Sequence, residues 1–196
     1  MKFYLPLLCG IFIFLSLSCK NSNSAKQDST MLVTGDNSQL TNNQEKINYL
    51  CSKTITHYFS SLENLDTFKI YIIGNSLLES TVHLEIIDSS GKKIYSEKFK
   101  SYLLLNFDID SDTTDLAKEN FIKNRIANFF NEDNFIAPAI GDKEEYDSAY
   151  SQKDIWDDIH SDRKAIGFRF LIGEEDGRSI AYSRNFKKVV MYFNCC

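Results

Sequence analysis

The sequence contains little proline and lacks several common enzyme motifs. Two prolines among 196 residues exclude a proline-rich disordered chain, and an aromatic content of 13% supplies the large side chains that a packed core needs. The sequence has no G-x-S-x-G, H-E-x-x-H, P-loop or G-x-G-x-x-G motif, which are signatures of hydrolases, metalloproteases and nucleotide-binding proteins. We therefore predict a protein that is not an enzyme and that carries no cofactor.

Excess positive charge is also lacking. The chain has 22 basic and 27 acidic residues, a net charge of −5 at pH 7. Loss of residues 1–18 would remove one charge, Lys2, and would leave 21 basic and 27 acidic residues, a net charge of −6. Nucleic acids are polyanions that bind basic surfaces, so we predict no nucleic-acid partner.

The N-terminus lacks an apolar run long enough to cross a bilayer. Lys2 is followed by an uncharged run at residues 3–17, whereas a spanning helix needs about 20 apolar residues. A charged start, a short apolar run and small residues at its end are typical of an export signal. We predict that residues 1–18 are a signal peptide that is removed.

The end of this run, Leu15-Ser16-Leu17-Ser18-Cys19, resembles the lipobox of bacterial lipoproteins. Ser18 and Cys19 fit the lipobox, whereas Ser16 stands where that family usually has leucine. The resemblance implies that Cys19 is lipidated and anchors the protein in the membrane. It also implies that Lys20, in place of Asp, allows transport to an outer membrane. Ordinary cleavage after the small residues Ser16 and Ser18, which would release a soluble protein, remains the alternative.

The segment that follows is polar and the rest of the chain forms one domain. Residues 20–44 are mostly Asn, Ser, Thr, Gln and Lys, so we predict that 19–44 is the lipidated cysteine with a flexible tether of roughly 25 to 30 Å average reach. Residues 45–196 are enough for a single core.

A helix is predicted at the start of this domain. Thr41 and Gln44 have capping-box spacing, and apolar residues then recur at intervals of three and four. These residues are Ile47, Leu50, Cys51, Ile55, Tyr58, Phe59 and Leu62.

Alternating apolar and polar residues predict strands in the remainder. The strands are placed at 67–73, 82–86, 92–100, 102–107, 166–172, 178–183 and 189–193, with turns at Asp88–Gly91 and Asp176-Gly177. Further helices are predicted from the caps at 111–114 to about Asn131, and around Ile155, Trp156 and Ile159. This order predicts an α+β domain in which an antiparallel sheet of five to seven strands packs two or three helices on one face.

Three cysteines remain if Cys9 leaves with the signal and Cys19 carries lipid. A disulfide from Cys51 to Cys195 or Cys196 is a candidate, because it would close a long loop in an oxidising compartment. The alternative for Cys51 is a buried free thiol. The sequence has no C-x-x-C pair at zinc-ligand spacing.

A weak calcium candidate precedes the second predicted helix. Asp108, Asp110, Asp112 and Glu119 occupy positions 1, 3, 5 and 12 of an EF-hand loop. Position 6, which favours glycine, is Thr113. The alternative is that these acids and hydroxyls cap the helix and oppose its dipole.

The segment 142–163 contains eight acids and three bases. Its aromatic and acidic residues are candidates for binding a basic partner, because aromatic side chains anchor interfaces and charge steers association. The residues are Tyr146, Tyr150, Trp156, Asp157 and Asp158. A hydrolase site at Asp157, Asp158 and His160 is the less favoured alternative.

Taken together, the sequence predicts a cell-envelope lipoprotein whose domain binds another envelope protein, a basic protein or a small ligand. An inhibitor or immunity-type protein that uses its acidic face is one alternative, and an envelope hydrolase is another.

Overall fold

The computed structural model describes residues 49–105, 109–110 and 112–195. The predicted signal peptide, Cys19, the tether and the first part of the predicted N-terminal helix lie outside the described residues, and so do Asp108 and Cys196. Among the described residues, no helix has both the length and the apolar character that a membrane span requires.

The first element is a strand, β1 (Tyr49–Tyr58), where the sequence predicted a helix. It pairs antiparallel with β2 (Leu65–Ile73), and Ile55 lies opposite Phe68. The prediction was wrong because Cys51, Ile55 and Phe59 are four residues apart, and this spacing places residues on one face of a strand as well as of a helix. Residues 49–58 form a strand and not a helix because they pair with β2 along their length.

Four strands form a meander that we call sheet A, in the order β1-β2-β3-β4. The strand β3 covers Thr81–Ile87 and β4 covers Lys93–Lys100. The predicted turn between them is confirmed: Gly91 has a φ of 86°, and the Asp88 carboxylate accepts hydrogen bonds from the backbone N–H groups of Ser90 and Lys92. Glycine suits this turn because it adopts positive φ without a steric penalty.

The remaining strands form a second antiparallel sheet, sheet B, in the order β5-β6-β7-β8. Their bounds are Phe135–Ile136, Gly167–Leu171, Gly177–Ser183 and Lys188–Cys195. The α+β class is therefore confirmed, but the strands form two sheets of four where a single sheet was predicted.

Sheets A and B face each other across the main apolar core. Phe68 of β2 is fully buried, and its ring lies 5.4 Å from that of Phe168 on β6. Alternate residues of β2 and β3 complete the sheet A side of this core, namely Ile70, Ile72, Val82, Leu84 and Ile86. Burial of these side chains is the main stabilising contribution, at roughly 1.5 to 3 kcal/mol for each large apolar side chain.

The two helices pack in different places, which corrects the prediction that they share one face. The helix α1 (Asp115–Ala127) begins at Thr114, whose hydroxyl accepts from the Ala117 N–H group, and it contributes Ile122 and Ile126 to the main core. The helix α2 (Lys153–Ser161) packs through Ile159 against the other face of sheet B, in a second apolar cluster with Ala181 and Val190. The alternation of side chains along β7 and β8 gives sheet B an apolar surface on both faces.

Two local predictions need correction. The residues Ser101–Leu104 form a 3₁₀ turn and not a strand. The turn begins at Ser101, whose hydroxyl accepts from the Ser80 N–H group and donates to the Ser80 carbonyl oxygen, next to the last paired residues of β3 and β4. Residues 172–176 connect β6 to β7, so Gly177 starts a strand and is not part of a two-residue turn.

Candidate functional site

A cavity lies on the face of sheet B that points away from sheet A. We call it the outer cavity; its volume is about 310 Å³, at the lower end of the range for small-ligand sites. Strands β6 to β8 form its floor, and α2 with the loop 141–152 forms its walls. It is lined chiefly by the aromatic residues Tyr150, Trp156, Tyr192 and Phe193 and by the charged residues Glu144, Glu145, Asp147 and Arg169.

The floor is fixed by Tyr192 on β8. Its hydroxyl is buried and donates a hydrogen bond of 2.9 Å to the Ala139 carbonyl oxygen. Burial raises the pKa of Tyr192, and the neighbouring Arg169 guanidinium opposes this rise. Glycine at position 167 leaves room for the Tyr192 hydroxyl, because a Cβ atom there would lie 2.3 Å from the hydroxyl oxygen. The tyrosine therefore ties the segment before the loop 141–152 to sheet B.

Arg169 projects from β6 on the same face, since it lies between the inward-facing Phe168 and Phe170. Its Nη2 atom lies 3.3 Å from Oε1 of Glu144, and the same carboxylate oxygen accepts a 3.0 Å hydrogen bond from the Gly141 N–H group. Both side chains are roughly half exposed, at 44% and 48%. The ion pair thus joins the covering loop to the sheet at the solvent boundary.

The aromatic wall is built on Trp156 of α2. The indole stacks on the His160 ring at 4.5 Å and meets the Tyr146 ring edge-on at 5.9 Å. The Tyr146 hydroxyl donates to the Ser151 carbonyl oxygen at 3.2 Å, a hydrogen bond within the loop that holds the Tyr146 ring in place beside Trp156. On the other side of the cavity, the Tyr150 ring lies 5.5 Å from the Phe193 ring.

The acidic residues of the cavity are not equally neutralised. Glu144 has its ion pair with Arg169. Asp147 accepts a 2.8 Å hydrogen bond from the Ala149 N–H group, and Glu145 has no hydrogen-bond partner among the described residues. Neither Glu145 nor Asp147 forms an ion pair within the described part of the chain. The described lining residues therefore include three carboxylates and one guanidinium, a net charge of −2.

The structure brings together only part of the predicted partner-binding set. Tyr150 and Trp156 line the outer cavity, and Tyr146 supports Trp156 from behind. Asp157 forms an ion pair with Lys153 one turn earlier on α2. Asp158 lines a different cavity, of about 250 Å³, where it accepts a hydrogen bond from the Asn185 side chain.

The predicted hydrolase residues have separate contacts. Asp157 and Asp158 have the partners given above, and the Nε2 atom of His160 is buried without a hydrogen bond to any described residue. These contacts do not test whether the protein acts on a substrate, so the hydrolase hypothesis stays a prediction.

Sequence reasoning missed Arg169, Ser179, Tyr192 and Phe193. The alternation Phe168-Arg169-Phe170 did indicate that Arg169 lies on the opposite face from the core. No sequence signal indicated that α2 and the loop 141–152 cover this face, because that depends on packing between distant segments.

The cysteine and calcium candidates remain predictions. Cys51 is a free thiol on β1, where burial raises its pKa and the charge of Lys123 opposes the rise; Cys195 ends β8, and Cys196 lies outside the described residues. Among the residues that the structure describes, no group of three or more His, Cys, Asp or Glu side chains is placed to hold a metal ion. Asp110 and Asp112 precede α1, and Glu119 lies within it.

Comparisons with known proteins add no relative: no family model, curated protein or solved structure matches this chain.

Proposed function

We propose that this protein is a lipid-anchored protein of the cell envelope that is not an enzyme and that binds a basic side chain of a protein partner in the outer cavity. The observation that carries this proposal is the combination of aromatic walls with the carboxylates of Glu145 and Asp147, which have no ion pair among the described residues. A cation beside an aromatic face and a carboxylate gains from both interactions.

An internal contact supports this choice of ligand. The Lys153 ammonium group lies 5.1 Å from the centre of the Tyr146 ring and 5.6 Å from that of Trp156. These two rings therefore already contact one cation, and Trp156, which also lines the cavity, is suited to contact a cationic ligand there.

The size and surroundings of the outer cavity favour a side chain of a protein over a large free ligand. Its volume of about 310 Å³ suits one long side chain. The surrounding segment 142–163, with eight acids and three bases, would steer a basic protein toward it. An inhibitor or immunity-type protein that blocks a basic enzyme or toxin is one form of this function.

The test uses the protein's single tryptophan. Trp156 lines the cavity, so its fluorescence reports occupancy directly. The full chain is titrated with N-acetyl-arginine amide and with the neutral citrulline analogue. We expect a saturable change with the arginine compound, with millimolar affinity that weakens as salt is added. The citrulline analogue is expected to bind at least several-fold more weakly.

Two pairs of variants test whether arginine binding depends on the carboxylates of the cavity or on the net charge of the whole protein. Glu145→Gln with Asp147→Asn removes two charges from the cavity, whereas Glu63→Gln with Glu79→Gln removes two exposed charges from loops of sheet A. The first pair is expected to reduce arginine affinity roughly tenfold and the second pair less than twofold. Equal effects of the two pairs, or equal binding of arginine and citrulline, would reject the proposal.

The anchor is tested separately by mass spectrometry of the protein purified from membranes of its host. We expect loss of residues 1–18 and added acyl groups, with both the acyl mass and membrane association lost in Cys19→Ser. An unmodified soluble chain beginning at Cys19 would instead support ordinary signal cleavage.

A further inference from the structure

A second cavity, separate from the outer cavity, lies where the C-terminal end of α1 meets β6. Its volume is about 410 Å³. Four asparagines, at positions 124, 128, 131 and 134, contribute to its lining, and we call it the asparagine cavity. Asn124 and Asn128 share a helix face because they are four residues apart. The chain then continues through a 3₁₀ turn at Glu132–Asn134, which keeps the later asparagines on the same side.

Two of these asparagines hold the backbone and two do not. The Asn128 side-chain NH₂ group donates to the Asn124 carbonyl oxygen, and that of Asn134 donates to the Phe129 carbonyl oxygen, each at 3.0 Å. The side chains of Asn124 and Asn131 make no hydrogen bond with any described residue, and both residues are exposed. Each free carboxamide offers two donor hydrogens and an acceptor oxygen.

The cavity also has an aromatic part. Phe121 of α1 is half-buried, whereas Phe129 and Phe170 are buried. The rings of Phe129 and Phe170 lie 5.8 Å apart with their planes 42° from parallel. The face of an aromatic ring carries partial negative charge, so it attracts the weakly positive C–H groups of an apolar ligand surface.

Charge in this cavity is low. No carboxylate belongs to its described lining. Arg125 directs its Nη2 atom to the Leu171 carbonyl oxygen at 3.0 Å, which holds its side chain against β6. The lining therefore consists mainly of neutral groups that both donate and accept hydrogen bonds, next to aromatic carbon.

We propose that the asparagine cavity binds a neutral saccharide of one or two hexose units. Sugar hydroxyls both donate and accept hydrogen bonds, as do the carboxamides of Asn124 and Asn131. One face of a hexose ring exposes C–H groups, which suit contact with Phe121 and its aromatic neighbours. A single pocket that offers both kinds of contact fits a sugar better than an ion or a purely apolar molecule.

The experiment is a titration of the ¹⁵N-labelled full chain with methyl glucoside and with the methyl glycoside of N-acetylglucosamine, up to about 100 mM because millimolar affinity is expected for so few contacts. We expect saturable shifts of the side-chain amide signals of Asn124 and Asn131 with at least one sugar. Saturation transfer is expected to be strongest to the ring C–H protons that face the aromatic residues.

A pair of variants identifies the site. Asn124→Ala with Asn131→Ala removes the two free carboxamides and keeps the two that hold the backbone, and it is expected to weaken sugar binding roughly five- to tenfold. Asn64→Ala changes an exposed asparagine in the connection between β1 and β2, and it is expected to leave binding unchanged. The absence of saturable shifts with both sugars would overturn the proposal, as would equal binding by the double variant. Tighter binding of inorganic phosphate than of either sugar would assign the cavity to anions and also overturn it.

Discussion

The Nη2 atom of Arg169 lies 3.3 Å from Oε1 of Glu144, and this ion pair joins β6 to the loop that covers the outer cavity. Arg169 is the one cationic side chain among the lining residues that the structure describes. It therefore limits the negative charge that the cavity presents to a ligand, and its removal has opposite consequences for binding and for stability.

Arg169→Gln is expected to strengthen binding of N-acetyl-arginine amide roughly two- to fivefold at low salt, because the variant removes a positive charge of the cavity lining that repels a cationic ligand. Loss of the partly exposed ion pair should lower the free energy of unfolding by less than about 1 kcal/mol. Fluorescence titration and urea unfolding measure the two quantities. Weaker arginine binding in this variant would contradict a cation site.

Tyr192→Phe is expected to lower the free energy of unfolding by about 1 to 3 kcal/mol, because the Ala139 carbonyl oxygen would lose its hydrogen-bond donor in a buried position. Tyr182→Phe is the matched control on β7, since the Tyr182 hydroxyl makes no hydrogen bond with any described residue. Its effect should remain within about 0.5 kcal/mol. Urea unfolding of both variants makes the comparison, and equal losses would argue against a specific role of the Tyr192 hydroxyl.

Alkaline pH is expected to destabilise the fold through Tyr95. Burial raises the pKa of Tyr95 to about 12, and the charge of Arg178 opposes this rise. An unfolded tyrosine loses its proton near pH 10, so between about pH 10 and 12 the unfolded state binds fewer protons than the folded state. The stabilising contribution is therefore complete below pH 10 and is lost as the pH rises toward 12.

The measurement is urea unfolding at a series of pH values for the wild-type protein and Tyr95→Phe. The variant should show a shallower decline above pH 10, by up to about 1.4 kcal/mol per pH unit. Parallel curves in that window would show that Tyr95 ionises equally easily in both states.

Arg178 connects the two sheets. From β7 it forms ion pairs with Asp176 and with Glu97 of β4, and Tyr95 donates a hydrogen bond to the same Glu97. The Glu97 side chain is only 16% exposed, so Arg178→Met would leave a partly buried charge without its main partner. We expect a loss of about 1 to 3 kcal/mol in the free energy of unfolding.

A double-mutant cycle with Glu97→Gln isolates this pair. The double variant is expected to be more stable than the sum of the two single losses implies, with a coupling energy of about 1 kcal/mol or more. Additive losses would mean that the ion pair contributes nothing specific to the contact between the sheets.

Several features of this protein follow from the sequence alone, because their causes are local. The alternation of apolar and polar residues in 67–73 and 166–172 predicted strands correctly. Asp88 and Gly91 predicted the turn correctly, because its side-chain hydrogen bonds and positive φ depend on a few neighbouring residues. The caps before α1 and the apolar face of α2 gave both described helices. The lipobox resemblance and the acidic segment are likewise local patterns, and their functional consequences remain predictions.

The division into two sheets, the strand β1 and the composition of the cavities were decided only by tertiary structure. Cys51, Ile55 and Phe59 satisfy helix and strand periodicity equally, so pairing with β2 determined the outcome. The outer cavity combines Trp156 of α2 with Arg169 of β6 and Tyr192 of β8, and nothing local specifies their proximity. Which segment covers which face depends on the packing of side chains far apart in the sequence, and that packing is a property of the folded chain as a whole.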